Sequence, residues 1–158
     1  ISLSSVVGDK KYSFMKNKND LILNINRYFD FLLKESLTSL EVSSTKDMLF
    51  EVLMARLDIL NQYRNSIQNI LKYIIAHPQQ FFKALPSFLE TIILIATLSN
   101  INVNGVRGVL KIKLIFILYL LIIYTWNKDE TSSLEKTMTT LDKYLSNLDN
   151  FFSLIDGK

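Results

Sequence analysis

The sequence predicts an all-α domain, on three observations. Glycine and proline are scarce, at four and two in 158 residues. Apolar residues recur at steps of three and four in nearly every segment. No stretch alternates long enough to read as a strand, since INVNGV at 101–106 is too short. The length suits one core of ordinary size, so a single domain follows. Cysteine is absent, which excludes disulfides, thiol catalysis and Cys-based zinc sites. A net charge of +3 is too small to demand a nucleic acid or an anionic membrane. Mean hydropathy is +0.20, high for a domain of this size unless extra apolar surface is hidden against a partner, a lipid or another copy.

The elements follow in order. Asn17 and Asp20 start a helix with Leu21, Ile25, Tyr28, Phe29 and Leu32 in phase, running from about Lys18 to Leu37. Ser43, Ser44 and Thr45 start a second, with Leu49, Val52, Leu53, Leu57 and Leu60 on one face, to about Gln62. A third begins at Arg64 or Asn65 and stops at His77, because Pro78 disfavours helical geometry in the residue before it. Phe81 and Phe82 form a short turn, and Pro86 suits the first turn of a fourth helix reaching Ser99. Asn100 to Gly105 is a loop. The next helix, about Val106 to Asn127, is apolar on nearly every face after Lys113 and is expected to be enclosed on all sides. The last begins near Ser132 or Ser133. Its Leu134, Met138, Leu141, Leu145, Leu148 and Phe152 make a seam for docking along another helix.

The longest apolar run, Leu114 to Trp126, has thirteen residues. As a helix it rises about 20 Å, short of a bilayer core of roughly 30 Å. Charges flank it on both sides, so it reads as a buried helix rather than a span. The N-terminus lacks the layout of a signal peptide. It also lacks an initiator Met, so the chain is expected to begin inside a longer gene product.

Catalytic patterns are not found. His77, the one histidine, precedes a proline at a helix end, where a surface or capping role is commoner than catalysis. Glu51 and Asp58 read as surface charge. The carboxylate and histidine pattern of di-iron bundles is missing, as are glycine-rich phosphate loops and a nucleophile elbow. No catalytic residue, metal or cofactor is therefore expected. Two basic clusters remain, Lys10, Lys11, Lys16 and Lys18 in one and Arg107, Lys111 and Lys113 in the other. A solvated face is the first reading of each, contact with phosphates the second.

The segment KYSFMKNKNDLI at 11–22, through Tyr12, Lys16, Asn17, Lys18, Asp20 and Leu21, resembles the junction that closes the DNA-binding domain of TetR-type regulators. The first two helices of that domain are missing upstream, so residues 1–17 are expected to be a truncated or degenerate helix-turn-helix remnant. Residues 18–158 are then one helical ligand-binding and dimerisation domain. The chain as given is not expected to read DNA, because both helices of the motif are needed. The segments MLFEVLMARLDILNQYRNSIQNIL at 48–71, with Arg56, Asp58, Tyr63 and Arg64, and WNKDETSSLEKTMTTLDKYL at 126–145, together with the turn at 105–110, resemble one branch of that fold. This is the family of ubiquinone-biosynthesis accessory proteins like coenzyme Q biosynthesis protein nine, of bacterial type.

The resemblance implies a non-catalytic, homodimeric protein that binds an isoprenoid lipid or quinone intermediate and touches the membrane peripherally. It also implies delivery of the ligand to a quinone-pathway hydroxylase. The location implied is the bacterial cytoplasm, or the mitochondrial matrix in a eukaryote. A TetR-family regulator with an incomplete DNA-binding part is the alternative. For a lipid pocket the candidates are Phe116, Tyr119, Leu120, Ile123 and Trp126, whose blander reading is core or dimer packing. Burying each CH2 of a lipid is worth about 0.8 kcal/mol, so a long apolar slot would suit a many-unit isoprenoid. The seam from Leu134 to Phe152 is the dimer candidate, since the last two helices of such folds commonly pair.

Overall fold

The computed structural model describes residues 18–37 and 43–157, with the side chains of Lys18 and Asn19 left aside. The expected remnant at 1–17, and with it Lys10, Lys11 and Lys16, lies outside the described residues. The described residues fold into six helices: α1 (Lys18–Ser36), α2 (Thr45–Gln62), α3 (Arg64–Ala76), α4 (Pro78–Leu98), α5 (Gly105–Lys128) and α6 (Glu135–Asp156). No strand occurs among them.

The caps explain the boundaries. Ser44 has extended backbone geometry and its hydroxyl accepts from the Asp47 amide at 3.1 Å, which starts α2. His77 ends α3 and Pro78 opens α4 as its first residue, where a missing N–H leaves nothing unpaired. Here the structure corrects the sequence reading. Pro86 does not begin a helix; it lies inside α4, which runs unbroken from Pro78. Both prolines satisfy the same local rule, and spacing alone cannot choose between them. What decides it is burial: Ala84, Ser87, Thr91 and Ile92 form one buried stripe of a continuous helix, while Pro86 and Phe82, four residues before it, are exposed. The carbonyl that Pro86 cannot serve therefore opens to water.

α2 is the central element, touching each of the other five helices. Its Leu49, Val52, Leu53 and Leu57 are sealed from solvent together with Leu33 of α1, Ile92 and Ile95 of α4, Ile115 and Ile122 of α5, and Leu141 and Leu145 of α6. α4 and α5 form a hairpin through a turn in which Gly108 meets the backbone of Val103. A Cβ at Gly108 would stand 2.1 Å from the Val103 carbonyl carbon, so only glycine permits this approach. Among the described residues α4 is the one helix long and apolar enough to cross a membrane. It packs against α1, α2, α3 and α5.

A second correction concerns α5. Its buried stripe is narrow, consisting of Gly108, Lys111, Ile115, Leu118, Ile122 and Trp126. The opposite face, with Val106, Val109, Ile117, Leu121 and Tyr124, is exposed. The expected enclosure on every side fails because α5 has α4 and α6 as flanking partners and α2 beneath, and none of the three reaches its outer surface.

α6 is started by a charged cap. The Asp129 carboxylate, 1% exposed, accepts from the amide and hydroxyl of Thr137 at 2.8 and 2.7 Å and from those of Thr131 at 3.1 and 2.5 Å. Burial alone would raise its pKa, but these four bonds together hold it far below the usual carboxylate range. The folded value is thus below the unfolded one, near 3.8. Its contribution is full above about pH 4 and is lost as pH falls through the folded value. Asp129→Asn is expected to cost about 2 kcal/mol at neutral pH and to flatten the acid limb of a urea-denaturation series between about pH 5 and pH 2.

Candidate functional site

Three helices each supply one apolar stripe at helical spacing to a common space. Ile22, Ile25 and Phe29 come from α1, Ile67, Ile70, Leu71 and Ile74 from α3, and Phe116, Tyr119, Leu120 and Ile123 from α5. Phe81 and Phe88 of α4 close one end with ring centroids 6.0 Å apart. The resulting cavity is about 120 Å³, and its wall is hydrocarbon and aromatic except for Asn26, Arg56 and Tyr119. Leu120 lines the cavity yet is 41% exposed, which places it at the mouth. An engineered apolar cavity of about 150 Å³ accepts benzene, so this one has room for a ring or a single isoprene unit.

Behind the apolar lining lies a buried polar network. Arg56, fully buried on the core face of α2, sets Nη1 2.8 Å from Asp30 Oδ1 and donates from Nη2 to Asn26 Oδ1 at 2.8 Å. Its Nε reaches the Tyr119 hydroxyl at 3.5 Å, a long contact. Asn26 donates to the Ser87 hydroxyl at 3.0 Å and to Thr91 Oγ1 at 2.8 Å, and Thr91 donates to Asp30 Oδ2 at 2.9 Å. Burial pushes the Asp30 carboxyl up, against the lowering pull of Arg56 and of the Thr91 hydroxyl. The network ties α1, α2, α4 and α5 together behind the cavity.

Four of the five pocket candidates, Phe116, Tyr119, Leu120 and Ile123, line this cavity. Trp126 does not. It is fully enclosed in the core, with the Arg64 guanidinium 4.7 Å from its ring centroid. Arg64 Nη2 also donates to the Trp126 carbonyl at 2.7 Å and to that of Asp129, serving the open carbonyls at the α5 C-terminus.

The basic trio does not form one patch. Lys111 and Lys113 lie about 200° apart around a helix. Lys111 is 8% exposed and pairs with Asp156 at 2.7 Å, whereas Arg107 and Lys113 face solvent. Of the seam residues, Leu134, Leu141, Leu145, Leu148 and Phe152 are buried in the core of this same chain, where α6 docks on α5 and α2. Met138 is 38% exposed, and Thr137 takes the buried place beside Asp129. Leu134 lies before the helix in left-handed geometry, which breaks the phase expected for Met138. That side of α6 is thus occupied within the monomer.

His77 is exposed, its Nδ1 2.9 Å from the Tyr73 carbonyl oxygen. Glu51 and Asp58 are exposed as well. No group of three or more His, Asp or Glu able to hold a metal occurs among the described residues.

Sequence reading missed Asn26, Asp30, Ser87 and Thr91 and quoted Arg56 only within a family-like segment. A signal was there. Arg56 stands in the apolar phase of α2 between Leu53 and Leu60, and Asn26 stands between Ile22 and Phe29 in the buried phase of α1. Polar residues in an apolar phase are informative because they must find partners. No protein-family model matches the chain, and no curated protein matches it.

Proposed function

We propose that this domain is a non-catalytic binder of an apolar ligand, held between α1, α3, α4 and α5. Within that reading it is a lipid-binding accessory protein of the ubiquinone-biosynthesis type on a TetR-like helical fold. The observation that carries the first part is the apolar cavity itself, open at Leu120. The second part rests on the resemblance of 48–71 and 126–145. The cavity volume sets how such a ligand sits: one ring or one isoprene unit enters, and the remainder leaves past Leu120. Ile117 and Tyr124, one turn to either side on the exposed face of α5, would carry it.

Protein purified without detergent and then mixed with vesicles carrying a short-chain prenylated quinone tests this reading by native mass spectrometry. Uptake of one quinone per chain is expected, and Phe116→Ala with Ile123→Ala should weaken uptake at least about tenfold. A chain that stays ligand-free beside those vesicles contradicts the reading.

The ring-sized volume also favours a second reading, a ligand-sensing domain of a TetR-type regulator. The coding sequence upstream of Ile1 separates the two, since about thirty further residues patterned as a helix-turn-helix would restore the regulator.

A further inference from the structure

We propose that the side of the domain formed by α3, α4 and α5 docks on an anionic lipid bilayer, with the cavity mouth turned toward the membrane. That an apolar ligand passes through this mouth rests on the reading above; the docking itself does not.

The small net charge conceals an uneven division. Residues 59–128, from the end of α2 through α5, carry seven Lys and Arg against one acid, Glu90, whereas the rest of the chain carries eleven against fourteen. Glu90 lies 4.0 Å from Arg27 of α1, and Lys111 is matched by Asp156. Lys72, Lys83, Lys113 and Lys128 are exposed and form no ion pair with a described residue. Exposed apolar surface is concentrated in the same segment, which holds eleven of the seventeen large apolar side chains that face solvent among the described residues. Grease and positive charge therefore coincide. On α5 they share one face: Leu110, Lys113, Ile117, Leu121, Tyr124 and Lys128 follow steps of three and four and are all exposed.

The mouth lies within this surface. Leu120 stands beside Ile117 and Tyr124 on α5. On α3, Gln68 donates to the Asn127 carbonyl near the end of α5, and Lys72 and Ile75, both exposed, continue that side of α3 along the cavity. On α4, Phe82 and Leu89 are exposed directly after Phe81 and Phe88, which line the cavity.

The mixture of charge and hydrocarbon selects the occupant. A second copy docked on this face about a twofold axis would bring Lys113 and Lys128 of two chains into one apolar interface, and α5 holds no carboxylate to neutralise them. Protein interface cores are depleted in lysine. A nucleic acid would meet the cations but leave the aliphatic stripe against phosphate. An anionic bilayer takes both, because Ile117 and Tyr124 enter the boundary of the acyl chains while lysine stems reach back to the headgroups. Each cation near such a surface strengthens binding about fivefold.

Vesicles without any quinone test the docking by flotation. The wild-type protein should bind phosphatidylcholine vesicles containing about one-third phosphatidylglycerol at least about tenfold more strongly than phosphatidylcholine alone, and high salt should remove the difference. Lys72→Gln should weaken binding about fivefold, whereas Lys34→Gln on α1 should change it little. Orientation is read with a dye on a single cysteine, since the chain has none of its own. Ile117 and Phe31 are each 55% exposed, so Ile117→Cys and Phe31→Cys offer matched sites on α5 and α1. Anionic vesicles should shift an environment-sensitive dye at 117 to the blue and leave one at 31 unchanged. Equal binding to the two kinds of vesicle, binding to neither, or a dye that enters the bilayer at 31 rather than 117 overturns the inference. So does a dye at 117 that is shielded before vesicles are added, in a chain that sediments as a dimer, because a second copy then holds the face. Docking on anionic vesicles without uptake of quinone overturns the apolar-ligand reading alone. Uptake of quinone with no preference for anionic vesicles overturns the docking alone.

Discussion

Arg56→Met is expected to destabilise the fold by about 3–5 kcal/mol, the usual cost of removing one partner from a buried ion pair. The methionine fills similar volume, so little of the loss comes from packing. What remains is the Asp30 carboxylate without its counter-ion and the Asn26 carbonyl oxygen without its donor. The Asp30 pKa already lies above its ordinary value with Arg56 present, and loss of the guanidinium pushes it further up. A raised folded pKa means stability is highest where the group is protonated and is lost as pH rises through the folded value. The variant should therefore recover part of its deficit under mildly acidic conditions. Adding Asp30→Leu should recover much of the rest, because an apolar pair can replace an ionic one at little cost. Urea denaturation of the two variants at two pH values measures all of this. A single variant within about 1 kcal/mol of wild type would show that the pair behaves like a solvent-screened surface pair.

Trp126→Ala is the second large effect, expected at about 3–5 kcal/mol, a fall in melting temperature on the order of 10 °C for a chain this long. The ring is wholly enclosed and lies under Arg64, whose Nη2 is fixed by the Trp126 and Asp129 carbonyls. Leu120→Ala is the matched control. At 41% exposure it should cost about 1 kcal/mol or less, although it stands on the same helix and was read from the sequence as the same kind of residue. Equal losses at the two positions in a thermal melt would contradict the division between filled core at Trp126 and open cavity at Tyr119.

The sequence carries the helices because their signals are local. Ser44, Pro78 and the asparagine-rich loop before α5 mark ends through caps and missing donors, and the elements begin and end close to them. It carries one wall of the cavity for the same reason, since Phe116, Tyr119, Leu120 and Ile123 share a stripe on α5. Trp126 extends that stripe by one more step. At that height, however, α5 meets the α2–α3 junction, and Arg64, 62 residues away in sequence, covers the ring. Spacing within a helix cannot reveal what another helix places opposite. The polar network is hidden for that reason, because Asn26 and Asp30 find Ser87 and Thr91 across 61 to 65 residues. The seam on α6 is legible as a seam, but its partner is not. The apolar excess of α5 is likewise plain in composition, whereas which face stays open depends on where α4 and α6 pack.

The most direct test is methyl NMR of the isoleucine-labelled protein during titration with 4-hexylacetophenone. The account predicts shifts at Ile22, Ile67, Ile70, Ile74 and Ile123 around the cavity, with Ile93 on exposed surface and Ile95 in the filled core left in place. Shifts confined to Ile93 and Ile117, or none at saturating ligand, would mean that nothing enters the cavity.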